Sequence, residues 1–122
     1  MLNISDQGIV RLSRGDSFSC PVFINKGTEL VPIRYELQDG DKLYFALMEP
    51  NQPFEKAILK KVLTKDDLNE NGDAVISLVP SDTENLETGL YYYTLKLRQE
   101  IDVNTYSVET VVPNRQFWIE GE

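Results

Sequence analysis

The stretch NGDAVISLVPSDTENLETGLYYYTLKL, residues 71–97, decides the fold of this chain. It predicts a turn at 71–73, a strand at 74–79, a capped helical turn at 81–89 and a second strand at 90–98. In the second strand apolar and polar side chains alternate with a period of two, which is typical of a half-buried antiparallel strand. The predicted inward row is Tyr91, Tyr93, Leu95 and Leu97, and the predicted outward row is Tyr92, Thr94, Lys96 and Arg98.

The junction before that strand favours a β-sandwich. Leu86, Gly89 and Tyr91 stand at the offsets used where a sandwich chain passes from one sheet to the other. Ser81 and Glu84 have the spacing of a capping box, so we expect Ser81 to be the N-cap of a helical turn that ends at Gly89. The segment therefore predicts an immunoglobulin-like sandwich.

Turn residues divide the rest of the chain into further short strands. We expect strands at 9–12, 18–24, 31–37, 43–48 and 57–63, with turns at 25–27 and 38–41. Pro21 places the second of these strands at a sheet edge or at a bulge, because proline donates no ladder hydrogen bond. Lys60 and Lys61 mark 57–63 as another edge strand, since lysines discourage edge-to-edge pairing.

The last segment, 99–119, predicts a hairpin return whose turn lies near Asp102, Asn104 and Thr105. Pro113 interrupts it, so we expect the strand to bend or to start again at Gln116. The predicted apolar positions are Val108, Val111, Phe117, Trp118 and Ile119. The whole chain, 1–122, is predicted to be a single domain: an all-β, immunoglobulin-like antiparallel β-sandwich of about eight strands with one short helical turn.

Composition limits the partners and the compartment. The 122 residues carry a net charge of −8, and the basic residues look dispersed along the sequence, which disfavours nucleic acid and anionic membranes as partners. No stretch approaches the roughly 20 apolar residues of a membrane span, and no secretion signal is visible. The single cysteine, Cys20, cannot close an internal disulfide, and we expect it to be a buried structural thiol.

The chain has no histidine, which removes the usual general base and most zinc and copper sites. We therefore expect no enzyme, no catalytic residue, no metal and no cofactor. Glu36 and Glu109 lie in or near predicted strands, and they are the only carboxylates that we keep open for glycosidase chemistry.

Two loops match short motifs. Residues 67–73 carry oxygen ligands and a glycine at calcium-loop offsets, but Leu78 stands where the closing glutamate belongs, so a hairpin turn explains them better. Arg14, Gly15 and Asp16 spell a tripeptide that some cell-surface receptors read, and an ordinary turn explains it equally well.

Three tyrosines are candidate binding residues. Alternation exposes Tyr92, which with Tyr44 or Tyr106 could form a stacking surface for sugars or for a protein neighbour. The alternative is that these are scattered surface aromatics. A carbohydrate-binding module would use Tyr92 and Tyr44 together with Trp118.

The order of several short motifs points to one group of proteins. The motifs are Gly15 with Asp16, a second Gly-Asp pair before the apolar strand 40–47, a lysine-bearing strand, the run 76–83 with Leu86, Gly89, Tyr91 and Tyr93, and a late segment 109–113. This order resembles small β-sandwich domains of tailed bacteriophages. It is most similar to the N-terminal domain of phage baseplate upper proteins and to short phage or prophage accessory proteins.

The resemblance implies a non-catalytic module that docks receptor-binding, fibre or head components onto a virion. It implies that the partners are other virion proteins and further copies of this chain, and that the location is the virion after synthesis in the host cytoplasm. The exposed aromatic side chains leave a host surface glycan open as a further partner. We expect the edge containing Pro21 and the termini to be contact regions. Baseplate upper proteins continue into a long C-terminal part, whereas this sequence stops at Glu122, so it is either a free-standing accessory protein or the docking domain alone.

Overall fold

The computed structural model describes residues 3–4, 9–22, 24–25, 30, 34–102 and 105–121. The described residues lie mostly in strands, which confirms the all-β prediction. The strands are β1 (Asn3–Ile4), β2 (Val10–Ser13), β3 (Phe18–Val22), β4 (Ile24–Asn25), β5 (Arg34–Tyr35), β6 (Lys42–Met48), β7 (Leu59–Leu63), β8 (Ala74–Leu78), β9 (Gly89–Asp102) and β10 (Thr105–Glu120). One α-helical turn, α1 (Pro80–Thr83), and two 3₁₀ turns, Phe54–Lys56 and Lys65–Asp67, complete the described elements.

The strands form a larger and a smaller sheet. The larger sheet has the order β1-β2-β10-β9-β6-β7, and its pairs are antiparallel except for β2 with β10. The smaller sheet pairs β3 with β8, and β4 pairs separately with β5. The neighbours β6-β9-β10 correspond to strands C, F and G of an immunoglobulin domain, and β3 with β8 to strands B and E. The predicted immunoglobulin-like sandwich is confirmed.

The core lies between the two sheets. Its buried apolar side chains are Val10, Leu12, Phe18, Ile24, Leu37, Leu43, Phe45, Leu47, Leu63, Ala74, Ile76, Leu78, Tyr91, Leu95, Leu97, Phe117 and Ile119. Tyr93 is half-buried, and its ring packs 5.9 Å from Phe45 and 6.2 Å from Phe117 between centroids. The predicted inward row of β9 is therefore confirmed.

Cys20 is only half-buried, against the prediction of a buried thiol. Its strand, β3, lies at the edge of the smaller sheet, where the packing leaves one side open among the described residues. Burial still raises the pKa of the Cys20 thiol. The edge position of β3 agrees with the expectation drawn from Pro21.

A tyrosine corner joins the two sheets. The Tyr91 hydroxyl donates to the backbone carbonyl oxygen of Glu87 at 2.7 Å, four residues upstream. This contact closes the crossing from α1 into β9, where the spacing of Leu86, Gly89 and Tyr91 predicts that the chain passes from one sheet to the other. Gly89 begins β9 with a φ of 142°, a conformation that favours glycine.

The helix α1 begins two residues earlier than the capping-box spacing predicts. Val79 is the N-cap and Pro80 is the first helical residue, because the fixed φ of proline suits that position. The Asp82 carboxylate, not Ser81, caps the turn, since it accepts from the Val79 N–H at 2.9 Å. Asp82 also forms a salt bridge with Lys61 of β7 at 3.0 Å, so the cap ties the helix to the larger sheet.

The prediction for the final hairpin was right in type and wrong in detail. β10 continues through Pro113 with register shifts between Thr110 and Arg115, so the strand bends and does not restart. Val108 was predicted to be apolar interior, but it is 53% exposed because its partner in β9 is the outward Arg98. Asn104 and the side chain of Val111 lie outside the described residues.

Several other boundaries differ from the predictions. Of the described residues 34–37, only Arg34–Tyr35 form a strand. Residues 31–33 of the predicted strand 31–37 lie outside the described part, as do residues 26–27 of the predicted turn at 25–27. The reversal at 38–41 is confirmed, with Gly40 at a φ of 86°. β7 is an edge strand as expected, but only Lys60 points outward, because Lys61 shares a face with the buried Phe45.

We predict that Tyr91→Phe lowers the free energy of unfolding by about 1 kcal/mol, because it removes one partly buried hydrogen bond and leaves the ring in place. Urea unfolding measures the change. The neighbouring Tyr92→Phe is the matched control and should change stability far less. Equal losses in the two variants would show that the corner contributes nothing specific.

We predict that Asp82 makes stability depend on acid pH. Burial by itself raises the pKa of Asp82, but the hydrogen bond from Val79 and the Lys61 ammonium outweigh it and lower the pKa in the folded state. The stabilisation is therefore present above the unfolded value of about pH 4 and is lost as the pH falls through the folded value. Below about pH 4, the free energy of unfolding of Asp82→Asn should fall less steeply with decreasing pH than that of the wild type. An equally steep fall in both proteins would contradict this role.

Candidate functional site

The outer face of the larger sheet, which points away from β3 and β8, carries the most developed surface feature. On this face Ala46, Met48 and Thr94 are only 0%, 2% and 3% exposed, although their positions alternate outward. The loop 49–57, which contains the 3₁₀ turn, folds back over them and places the Phe54 ring beside Tyr44. The loop 49–57 therefore covers part of the outer face.

A groove lies between this loop and the bent part of β10, and we call it the outer-face groove. It consists of two adjoining hollows of about 530 and 270 Å³. The larger is lined by Met48, Gln52, Pro53, Phe54, Thr94, Lys96, Thr110 and Asn114. The smaller is lined by Glu49, Pro50, Asn51, Gln52, Tyr92 and Asn114. Gln52 and Asn114 border both hollows, so two amide side chains mark the middle of the groove.

Local sequence chemistry shapes both walls. Asn51 has a φ of 67°, a left-handed conformation that asparagine tolerates better than most residues, and it turns the loop back towards the sheet. On the other wall the register shifts on both sides of Val112 move β10 out of regular pairing with β9. The groove therefore depends on a tight loop on one side and an irregular strand on the other.

Two lysine side chains contact the Phe54 ring on the outer face. The Lys60 ammonium lies 4.5 Å from the centroid of its ring and the Lys96 ammonium 4.6 Å from it, so both charges gather at one aromatic side chain. Within the part of the chain that the structure describes, neither ammonium has a carboxylate within salt-bridge distance. Such cation–π contacts are worth about 0.5–1 kcal/mol each at exposed sites.

The outer face carries several positive charges, although the basic residues look dispersed along the sequence. Lys60 and Lys96 are joined there by Lys42 and Arg98, which stand opposite each other in neighbouring strands. Glu100 is an acidic residue of β9, two positions after Arg98 and on the same face. Four cations thus share one sheet face in a chain whose net charge is −8.

The three predicted tyrosines do not form one platform. Tyr92 lines the smaller hollow of the groove. Tyr44 supports Phe54 with an edge-on contact at 6.4 Å between ring centroids. Tyr106 lies towards the far end of the hairpin, where the Arg98 guanidinium stands 4.0 Å from the centroid of its ring. Trp118, the further aromatic of the carbohydrate hypothesis, packs under Arg11 near the opposite edge.

Sequence reasoning missed Phe54, Gln52 and Asn114. The segment 49–53 reads as a plain loop, and nothing in it indicates that it returns to the sheet. Asn114 follows Pro113 and reads as part of a break. The outward row of β9, with Tyr92 and Lys96 in it, was the one signal that could have located the floor of the groove.

The two carboxylates kept open for catalysis lie in different surroundings. Glu36 is exposed and packs against the backbone of Gly72, while Glu109 stands opposite Leu97 in β10. Nearby, the buried Asp41 accepts hydrogen bonds from the Tyr35 hydroxyl and from the Gln38 N–H, and these bonds close the 38–41 turn. Burial and then the hydrogen bond to Asp41 raise the pKa of Tyr35. This network is built to hold a turn.

The calcium-like loop is held by its own oxygens. The Asp67 carboxylate accepts from the Thr64 N–H at 2.8 Å, and the Asn69 side-chain oxygen accepts from the N–H groups of Asn71 and Asp73. These oxygens therefore stabilise the hairpin turn. Across the described ranges, no group of three or more metal-ligating side chains comes together.

The Arg14, Gly15, Asp16 tripeptide forms an anchored turn. Gly15 has a φ of 84°, and its N–H donates to the Thr83 hydroxyl of α1 at 3.0 Å. The turn thus fastens the first strands to the corner of the sandwich. Elsewhere, no helix among the residues that the structure describes is long and apolar enough to cross a membrane.

Comparison with known proteins adds no relative. No family model matches the sequence, and no curated protein and no solved structure matches it. The fold and the site therefore define this chain as an immunoglobulin-like β-sandwich with a groove on the outer face of its larger sheet.

We predict that Phe54→Leu removes the ring-current effect on the side chains of Lys60 and Lys96. In the wild-type chain their ε-methylene protons should resonate upfield of the Lys42 signal, because an aromatic ring lies next to both ammonium groups. In the variant all three signals should coincide. Heteronuclear NMR of the labelled chain measures this, and Lys60 and Lys96 signals that already match Lys42 in the wild type would contradict the arrangement.

Proposed function

We propose that this chain is a non-catalytic structural module of a bacteriophage virion that docks other virion proteins in the baseplate, fibre or head. The motif order that resembles phage sandwich domains supports this proposal, and so does the immunoglobulin-like fold. The lack of histidine weighs against catalysis. Further copies of the chain are included among its partners, and nucleic acid and membrane are not.

The β9–β10 ribbon is the observation that carries the docking proposal. Beyond Arg98, the last residue of β9 to pair with β6, the two strands continue as a ribbon that pairs only with itself among the described residues. Its apolar side chains are exposed: Ile101 by 65%, Tyr106 by 54% and Val108 by 53%. Aromatic and apolar side chains in such a position favour a protein interface.

The backbone of the ribbon supports the same surface. β10 pairs with β2 only over residues 117–120, so at its 105–108 end no described strand lies on the side away from β9. An extended segment of another chain could add there as a further strand, with main-chain hydrogen bonds for affinity and side-chain pockets for specificity. The first candidate edge, at Pro21, is less suited because proline donates no bond to an added strand.

We predict that Val108→Lys abolishes docking. The change puts a charge on the outward face of the ribbon and removes an apolar contact, which is how natural edge strands avoid pairing. Particles produced by the strain that carries the gene would be purified on a density gradient and probed for the tagged chain. The wild-type chain should travel with the particles and the variant should remain in the soluble fraction.

Val62→Lys is the matched control. Val62 is a 48% exposed valine on the outward face of the edge strand β7, so it presents the same chemistry away from the ribbon. It should leave incorporation unchanged, and thermal melts of both variants would confirm that they fold. A wild-type chain missing from every particle fraction would overturn the virion proposal, and equal incorporation of both variants would overturn the ribbon as its docking surface.

A further inference from the structure

We propose that the outer-face groove binds an acidic saccharide, a sugar chain that carries a carboxylate. The groove and the ribbon are separate surfaces, so either can be tested without the other. The groove has a mixed polar and apolar lining, and its two hollows together are large enough for more than one sugar ring.

The positive charge at the Lys96 end of the groove favours an anionic group of the ligand there. Lys96 lines the larger hollow, and Lys60 shares the Phe54 ring with it. The distance between the two ammonium groups is at most the sum of their distances to the ring centroid. No described carboxylate lies within salt-bridge distance of either group. A bound carboxylate would supply a counter-charge to these two ammonium groups.

The middle of the groove suits hydroxyl groups. The amides of Gln52 and Asn114 border both hollows, and each side chain offers donors and an acceptor to neighbouring hydroxyls. Thr110 adds an exposed hydroxyl group on the sheet side. A saccharide presents hydroxyls in this density, whereas a small inorganic anion would leave the amides without a partner.

The other end of the groove separates a sugar from a purely anionic polymer. Glu49 lines the smaller hollow beside Tyr92. A carboxylate there accepts hydrogen bonds from sugar hydroxyls, but it repels a chain that carries a negative charge on every unit at close spacing. Tyr92 supplies an aromatic surface against which the apolar side of a sugar ring can pack. The arrangement favours an acid at the Lys96 end and neutral hydroxyls at the Glu49 end.

The test uses the ¹⁵N-labelled full chain at about 150 mM salt, where long-range charge effects are screened. An acidic trimer, made of two galactose units and one terminal galacturonic acid, and a neutral trimer of galactose alone are titrated, and the backbone and side-chain amide signals are followed. The acidic trimer should shift the side-chain amides of Gln52 and Asn114, and it should bind about tenfold more tightly than the neutral trimer.

Variants locate the source of that preference. Lys96→Gln should lower the affinity for the acidic trimer about tenfold, to the level of the neutral trimer. Lys42→Gln removes a cation from the same face outside the groove and should leave the affinity unchanged. Asn114→Ala should weaken both trimers alike, which separates hydroxyl recognition from charge.

Several results would overturn the proposal. The absence of shifts in the groove with about 10 mM acidic trimer would do so, and so would an equal effect of Lys96→Gln and Lys42→Gln. Inorganic phosphate or an oligothymidylate that shifts the same amides more strongly than the trimer would show that the face responds to charge and not to sugar.

Discussion

The whole structure depends on the period of two in β9. One row of this strand, from Tyr91 to Leu97, closes the core against the smaller sheet, and the other row, from Tyr92 to Arg98, forms the floor of the outer face. A shift of one residue in its register would put the charged row into the core, at a cost far above the marginal stability of a domain this size. The inward row therefore fixes the place of every residue in the outward row.

The tyrosine corner keeps that register in place. β9 enters the larger sheet directly from the helical turn, and the bond from Tyr91 to Glu87 sets the residue at which the strand begins. The Asp82 cap and its salt bridge to Lys61 fix the same helical turn to β7. The corner is thus held at both ends, by a hydrogen bond to the strand that follows it and by an ion pair to an edge strand of the sheet.

The sequence predicts features that depend on a single segment, and it misses features that depend on contacts between distant segments. The faces of β9 and the spacing of Leu86, Gly89 and Tyr91 are properties of single segments, so both were predicted correctly. The orientation of Val108 depends on which residue of β9 it opposes, and the sequence of β10 does not contain that information. The groove was missed for the same reason, because Gln52 and Asn114 come from distant segments that meet only after the sheet has formed.

The acidic composition of the chain and the basic character of one face are compatible, since the two act over different distances. A net charge of −8 repels polyanions over the whole surface, but screening weakens this repulsion beyond about 8 Å in physiological salt. Inside the groove the nearest charges are Lys96, Lys60 and Glu49, and their separation along the groove matters more than the total. A ligand with one acidic group and many hydroxyls matches this short-range pattern, whereas a uniformly charged polymer meets the long-range repulsion as well. The sheet therefore carries two surfaces of different chemistry: a ribbon at one end with exposed Ile101, Tyr106 and Val108, and a groove lined by lysine, amide and aromatic side chains.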